Sequence, residues 1–451
     1  MGVRHSSVIE APVPEVFAWH ERPGALHRLV PPWQPIRIVA ESSSLRDGKA
    51  VLRLPGGVRW VAQHGGYQPP HQFVDELVSL PLRWRHIHSF ESLTSSRTRM
   101  TDVVDSPVPG SFLTQTFRYR HSQLAADLAA HRVMAELTDR PFTVAVTGSS
   151  GLIGAALCAF LSTGGHRVIR LVRRPPRDGG EREWQPHRPD PGALEGADAV
   201  VHLAGASIAG RFTDRHKQEI RDSRVGPTSM LARTMASMSD PPGVLVAASA
   251  IGFYGGDRGE EELSEEGTRG AGFLAELVAD WEAAGQPARD AGVRVVHVRT
   301  GIVQSAQGGS LRLLRPLFAA GLGGPVGGGA QWVSWIGLDD LVDVFGRALV
   351  DGRLVGPVNA VAPHPVRNRE YATTLAHVLR RPCLVPVPAF GPRVLFGAEG
   401  ATELVQASQR VVPGRLSAAG HVFRHPGLET CLRHQLGHLQ NPDAGEAASG
   451  N

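Results

Sequence analysis

The spacing of hydrophobic and polar positions changes near residue 140 of this 451-residue chain. Before it, apolar residues come in short runs broken by Pro, Gly and charged clusters. They predict strands over 5–9, 36–41, 50–54, 58–64, 73–78, 82–90 and 97–104, a helix over 12–19, and a run over 26–33 that ends in the loop Pro31-Pro32-Trp33. Leu124, Leu128, His131 and Met134 then recur near helical spacing and predict an amphipathic helix over 119–134. Short helices, successive antiparallel strands and one long closing helix describe an α+β domain over 1–137 in which a bent sheet grips a helix.

From residue 142 the rhythm is different. Apolar runs at 143–147, 166–172, 199–203, 244–248 and 293–303 alternate with helical patterns at 155–161, 214–238 and 273–284, the long one interrupted at Gly226-Pro227. That alternation predicts a Rossmann-like α/β domain over 142–440, a parallel sheet with helices on both faces. Residues 137–141 read as a linker, 305–436 as a substrate-side subdomain, and 441–451, which have no apolar face, as a disordered tail.

Composition narrows the class. With 42% hydrophobic and 20% charged residues, the chain reads as an ordinary globular protein. A net charge of +4 from 47 basic and 43 acidic side chains is too small and too evenly spread to imply a nucleic-acid partner. Cys158, Cys383 and Cys431 lie far apart, without disulfide or zinc spacing, and fit a reducing cytoplasm. No apolar run has the length to cross a bilayer, so no membrane partner is expected.

The chemistry concentrates in FTVAVTGSSGLIG, residues 142–154, where one strand runs into a glycine-spaced turn and then a helix. Gly148 permits the turn, Gly151 lets a pyrophosphate approach, and Gly154 lets the helix lie close on the sheet. Amides of Ser149, Ser150, Leu152 and Ile153 then face the anion. After the second strand, where an acidic residue would accept the ribose hydroxyls of NAD, stand Arg173 and Arg174. Guanidinium groups pair with a 2′-phosphate and carboxylates repel it, so the expected cofactor is NADP(H). The plain alternative is two solvated arginines in an arginine-rich chain. Leu203, Ala204 and Gly205 end a central strand in small residues where adenine and ribose would pass, and Ser249 ends the next.

Together VTGSSGLIG, LVRRP, VVHLAG, ASAIGFYGG and VRTGIV resemble the extended short-chain dehydrogenase/reductases. RFTDRHKQEIRDSRVGPT, FLAELVADWE, RTGIVQSAQGGSL, GLGGPVGGGAQWVSWIGLDDLV and the C-terminal QRVVPGRL narrow the resemblance to the atypical epimerase-like (NAD-dependent epimerase/dehydratase) branch over 142–436. One departure is Gly337, in WIGLDD where WIHIDD is commoner. The opening SSVIEAPVPEVFAWHERPGALHRLVPPW, with HQFVDE and RWRHIHSF, is similar to the START-like, or SRPBCC, superfamily, whose domains enclose an apolar ligand and which occurs fused ahead of this branch. His86 and His88, two apart on one strand, point to one face. In principle the pair could chelate a metal, but with no third ligand signalled nearby they are expected to line the cavity or stack on its polar rim, and no metal site is expected.

The resemblance implies hydride transfer assisted by a tyrosine with a lysine four residues later. Tyrosines stand only at Tyr67, Tyr119, Tyr254 and Tyr371, followed at that spacing by His71, Gln123, Arg258 and Leu375. The pair is absent, and its place falls to Phe273 and Leu277. Ser249 and Tyr254 are the candidate catalytic groups, Tyr254 alternatively a packing residue. Lys217 and Arg224 are candidate substrate contacts, alternatively a solvated face, and Glu276, which shares its predicted helix with Glu282, is a base if turned inward. Two readings follow. One is an NADP(H)-dependent oxidoreductase or epimerase acting on an unidentified small molecule. The other is a non-catalytic NADP-binding sensor coupled to an apolar-ligand domain.

Overall fold

The computed structural model describes residues 2–384, 386–388 and 391–440, so the expected tail at 441–451 lies outside the described residues. The chain forms two compact units, one of residues 1–136 with 159–165 and the stretch from Arg433, the other of 137–158 with 166–432.

The first unit begins with β1 (Gly2–Ile9), α1 (Val13–Glu21) and α2 (Ala25–Leu29). Then come β2 (Arg37–Ala40), β3 (Lys49–Arg53), β4 (Arg59–Gln68), β5 (Gln72–Leu77), β6 (Arg85–Thr94), β7 (Arg97–Asp105) and α3 (Gly110–Leu137). The seven strands form one antiparallel sheet in the order β1-β7-β6-β5-β4-β3-β2. Phe73, Phe90 and Met100 on one sheet face bury against Val16, Phe17 and Trp19 of α1 and Leu124 and Leu128 of α3. Strand alternation explains the selection. In β6, His86, His88 and Phe90 are buried while Arg85, Ile87 and Ser89 are not. The long helix starts nine residues before the amphipathic pattern predicts, because Gly110–Arg118 carries little apolar periodicity.

From residue 143 the chain continues with β8 (Thr143–Thr147), α4 (Leu152–Thr163), β9 (Arg167–Val172), β10 (Glu181–Glu183), β11 (Ala199–His202), α5 (Asp214–Asp222) and α6 (Val225–Ser237). β12 (Val244–Ala250), β13 (Asp257–Leu263), α7 (Phe273–Ala283), α8 (Gln286–Asp290), β14 (Arg294–Thr300), β15 (Ile302–Gln304) and α9 (Gly309–Ala319) follow. Next are β16 (Trp332–Val333), β17 (Trp335–Gly337), α10 (Leu338–Val350), β18 (Gly356–Ala360), β19 (Val366–Arg367) and α11 (Asn368–Val378). α12 (Gly391–Leu404), β20 (Ser408–Val411), α13 (Gly414–Ala418) and α14 (Leu428–Leu436) close the chain.

Seven parallel strands form the sheet β10-β9-β8-β11-β12-β14-β18, which makes the Rossmann-like architecture explicit. Chain order reverses between β8 and β11, the switch point where open α/β sheets bind ligands. The helical stretch after β11 breaks at Ser223-Arg224, not at Gly226-Pro227. Pro227 sits in the first turn of α6, where its missing N–H costs nothing. The strand expected over 293–303 is two, split at Gly301, where a side chain would meet the Ser334 carbonyl at 2.7 Å. The charged β13 pairs in parallel with β20, a pairing that no apolar pattern announces.

Candidate functional site

β8 is buried along Val144–Thr147 and delivers the chain into the glycine turn at the switch point. Gly148 adopts φ +65°, and a Cβ there would lie 2.8 Å from the Leu203 carbonyl carbon. A Cβ on Gly154 would lie 2.2 Å from the Gly148 oxygen, so only glycine lets α4 start here. Gly151 is different. A Cβ there would meet only the Gly148 oxygen, at 3.3 Å, and otherwise point into open space. The first-turn amides of a helix have no intrahelical acceptor, and here Leu152 and Ile153 open α4 beside Ser149 and Ser150.

The opposite wall of this cradle is tied to β8 by one hydroxyl. Thr147 Oγ1 accepts from the amides of Leu203 at 3.1 Å and Ala204 at 3.3 Å, and meets His202 Nδ1 at 2.8 Å. Burial lowers His202 to about 4, so its ring is neutral. Arg224 holds the same loop from the other side. Its Nη2 donates to the Ala206 carbonyl at 2.9 Å and its Nη1 to Ile220 at 3.2 Å, with the guanidinium 5.2 Å over the Trp281 ring. Burial lowers Arg224 to about 10. These bonds make Arg224 a brace for the 203–206 loop.

The two arginines after β9 divide. Arg174 is paired with Glu181 in a fork at 2.7 and 2.6 Å, whereas the sequence reading turns both arginines to a nucleotide. Glu181 lies on β10, the edge strand beside β9, and its carboxyl is lowered to about 2 by that pairing. Arg173 is exposed and has no ion-pair partner among the described residues.

Ser249 and Tyr254 take part in a different structure from the open contacts expected of them. Parallel register sets Ser249 on β12 beside Arg299 on β14, and Arg299 beside Asn359 on β18. Glu282 of α7 caps the row. Its Oε1 accepts from Ser249 Oγ at 2.7 Å and Arg299 Nε at 2.8 Å, and its Oε2 from Arg299 Nη2 at 2.8 Å. Burial, which alone would lower Arg299, is outweighed by Glu282, and the guanidinium is raised. Tyr254 is fully buried, and its hydroxyl reaches the Ser264 carbonyl, Asn359 Oδ1 and Arg299 Nη1 at 2.9, 2.8 and 3.2 Å. Burial raises its pKa. Both hydroxyls are therefore spoken for. Ala248 and Ala250, out of phase with Ser249, are the partly exposed positions of the strand end.

Lys217 pairs with Glu399 at 2.9 Å and sits 5.6 Å from the Phe273 ring. Glu276 is exposed, while Glu282 turns inward to Ser249 and Arg299. Phe273 is half-buried and Leu277 buried, so the positions of the missing tyrosine and lysine are apolar in space as well as in sequence.

In the first unit the structure supplies what the strand pattern around His86 and His88 lacks. Asp75 joins them, the ligand atoms of all three lying within 4.8 Å of one another. Burial, with repulsion from His88, lowers His86 to about 4. For His88 burial is outweighed by Asp102 and Asp75, which raise it to about 9.

Comparison with known proteins gives a consistent picture. Residues 144–360 match the NAD dependent epimerase/dehydratase family, and residues 387–435 a domain of unknown function, DUF1731. An epimerase family protein of Mycobacterium bovis is 44% identical over 292 residues, 64% of this chain and 96% of that protein. The crystal structure of a nucleoside-diphosphate sugar epimerase from Corynebacterium glutamicum is 41% identical, with a TM-score of 0.86 over 99% of this chain and 92% of that one. Human epimerase family protein SDR39U1 (isoform 2), solved with NADPH, is 31% identical, with a TM-score of 0.60 over 66% of this chain and 100% of that chain.

Proposed function

The chain belongs to the NAD dependent epimerase/dehydratase family, and from that premise we propose that its second unit binds NADP(H) and acts as an oxidoreductase or epimerase on a small molecule. The observation that carries the reading is the cradle. Gly148 and Gly154 have no room for a side chain, while the space a Cβ on Gly151 would fill faces outward beside the helix amides. A diphosphate fits that donor set, and Arg173, left exposed while Arg174 is held by Glu181, would pair with a 2′-phosphate. A bound nicotinamide supplies or takes up hydride. Ala248 and Ala250, the partly exposed small residues at the end of β12, would leave room for it, and the protein would contribute orientation in place of a tyrosine proton donor. NADPH in the human SDR39U1 structure supports the same choice of cofactor.

Calorimetry with NADPH and NADH tests the reading. Binding of NADPH at least about 10-fold tighter, a difference of about 1.4 kcal/mol, is expected. Absence of heat with either nucleotide removes it. Oxidation of bound NADPH by a panel of carbonyl compounds then separates turnover from the sensor reading.

The first unit we read as a START-like helix-grip domain that takes an apolar ligand between sheet and helix, with the division of domains near residue 137. An apolar molecule retained by the full chain in native mass spectrometry is the expected result. A cytoplasmic location completes the proposal.

A further inference from the structure

We propose that the first unit binds one divalent first-row transition ion, such as Zn²⁺, through Asp75, His86 and His88. Register puts the groups together. Asp75 on β5 lies opposite His64 on β4 and His86 on β6, while His88 lies opposite Phe73 and Asp102. All point to the sheet face that also carries Phe73 and Phe90, a polar hole in an apolar core.

The three groups already stand close to ligand spacing. Asp75 Oδ2 is 3.3 Å from His88 Nε2, a long hydrogen bond, and 4.0 Å from His86 Nδ1. Metal bonds of about 2.0–2.2 Å separate neighbouring tetrahedral ligands by about 3.3–3.6 Å, so a small closure brings the three onto one ion. The far ring nitrogens, His86 Nε2 and His88 Nδ1, lie 3.1 and 2.8 Å from Asp102 Oδ1. Both are buried, yet neither makes a hydrogen bond of acceptable geometry in this arrangement. Buried polar atoms this close but out of line are costly. Rotation of the two rings toward an ion would bring those N–H groups onto Asp102, the carboxylate–histidine–metal relay of nitrogen-ligated ions.

Asp102 is the positioning residue. Its Oδ2 is held by His121 Nε2 at 2.9 Å, and His121 Nδ1 by Ser7 Oγ at 2.6 Å. His64 in turn engages Asp75 Oδ1 and leaves Oδ2 to ligate. Asp75, with 19% of its side chain exposed, gives the ion an entry path, whereas Asp102 is sealed at 0%. Two imidazole nitrogens and one carboxylate, the ion displacing any proton from the nitrogen it takes, select a zinc-class ion over Mg²⁺ or Ca²⁺ and leave a coordination position for water or a ligand oxygen.

Tag-free full chain, stripped with chelator and dialysed against Zn²⁺, should retain about one equivalent by elemental analysis, and Co²⁺ should give the absorption of a low-symmetry nitrogen–oxygen site. His88→Gln and Asp75→Asn should each weaken Zn²⁺ by about 100-fold or more, and Asp102→Asn by about 10- to 100-fold through loss of ring orientation. The wild-type titration stands whether or not the variants fold. Retention below about 0.2 equivalent, an aqueous Co²⁺ spectrum, or full Zn²⁺ retention by folded His88→Gln would overturn the proposal. Loss of Zn²⁺ in Asp102→Asn but not Asp75→Asn would overturn the assignment of Asp75 as ligand.

Discussion

Ser249→Ala tests whether the hydroxyl at the strand end is structural or catalytic. The substitution deletes one charge-assisted hydrogen bond, 2.7 Å to Glu282, in a site where Ser249 is 4% exposed. Such bonds contribute about 1.5–3 kcal/mol. Glu282 keeps both bonds from Arg299, so no ion is left unpaired and the larger cost of a broken buried pair does not arise. For a domain of this size roughly 2–3 °C accompanies each kcal/mol, and a fall in Tm of about 3–9 °C is expected. Calorimetric scanning measures it, and titration with NADPH on the same sample should give an unchanged Kd. An unchanged Tm together with lost turnover would refute the argument, since the hydroxyl would then act on substrate and not on Glu282.

Gly151→Ala should raise the Kd for NADPH by about 10-fold or more while shifting Tm by less than about 2 °C, because the added methyl enters the cradle and not the fold. Arg173→Asp should weaken NADPH far more than NADH in parallel titrations, whereas Arg174→Asp, which breaks the Glu181 pair, should weaken both alike. Burial and the neighbouring Asp343 raise Asp340 to about 7. The folded state therefore holds a proton that the unfolded state has lost, stability falls as pH rises from about 4 to about 7, and the fall is on the order of 4 kcal/mol. Asp340→Asn, which keeps the acceptor for the Arg424 amide, should flatten that slope in urea melts at pH 5 and pH 8.

What the chain discloses depends on how local the determinant is. Residues 143–147 form the predicted strand because one buried run of small and β-branched side chains suffices, and the glycines after it act within one turn. Absence of the tyrosine and lysine pair needs no structure at all. Arg174 is harder. Its partner Glu181 lies on a three-residue edge strand of charged residues, whose place beside β9 follows from tertiary context. Asp75 was within reach, since its strand and that of His86 are both legible, but their mutual register was needed to set one across from the other. Alternation already put Ser249 out of phase with Ala248 and Ala250, but which face is buried, and that Glu282 of α7 waits there for its hydroxyl, needed the packing of α7 on the sheet.

These placements change where chemistry in the second unit has to come from. The polar side chains at the strand ends satisfy one another, Ser249, Arg299, Glu282, Tyr254 and Asn359 in one connected row, and such a network fixes geometry while offering no proton to a neighbour. What faces outward at the switch point is backbone and small residues, the 148–153 amides and the alanines of β12. Backbone donors bind charge with little reorganisation, but amides do not titrate near neutrality. On the proposed function the cradle's amides would hold the nucleotide, and a proton accompanying hydride would have to come from a group other than Ser249 and Tyr254.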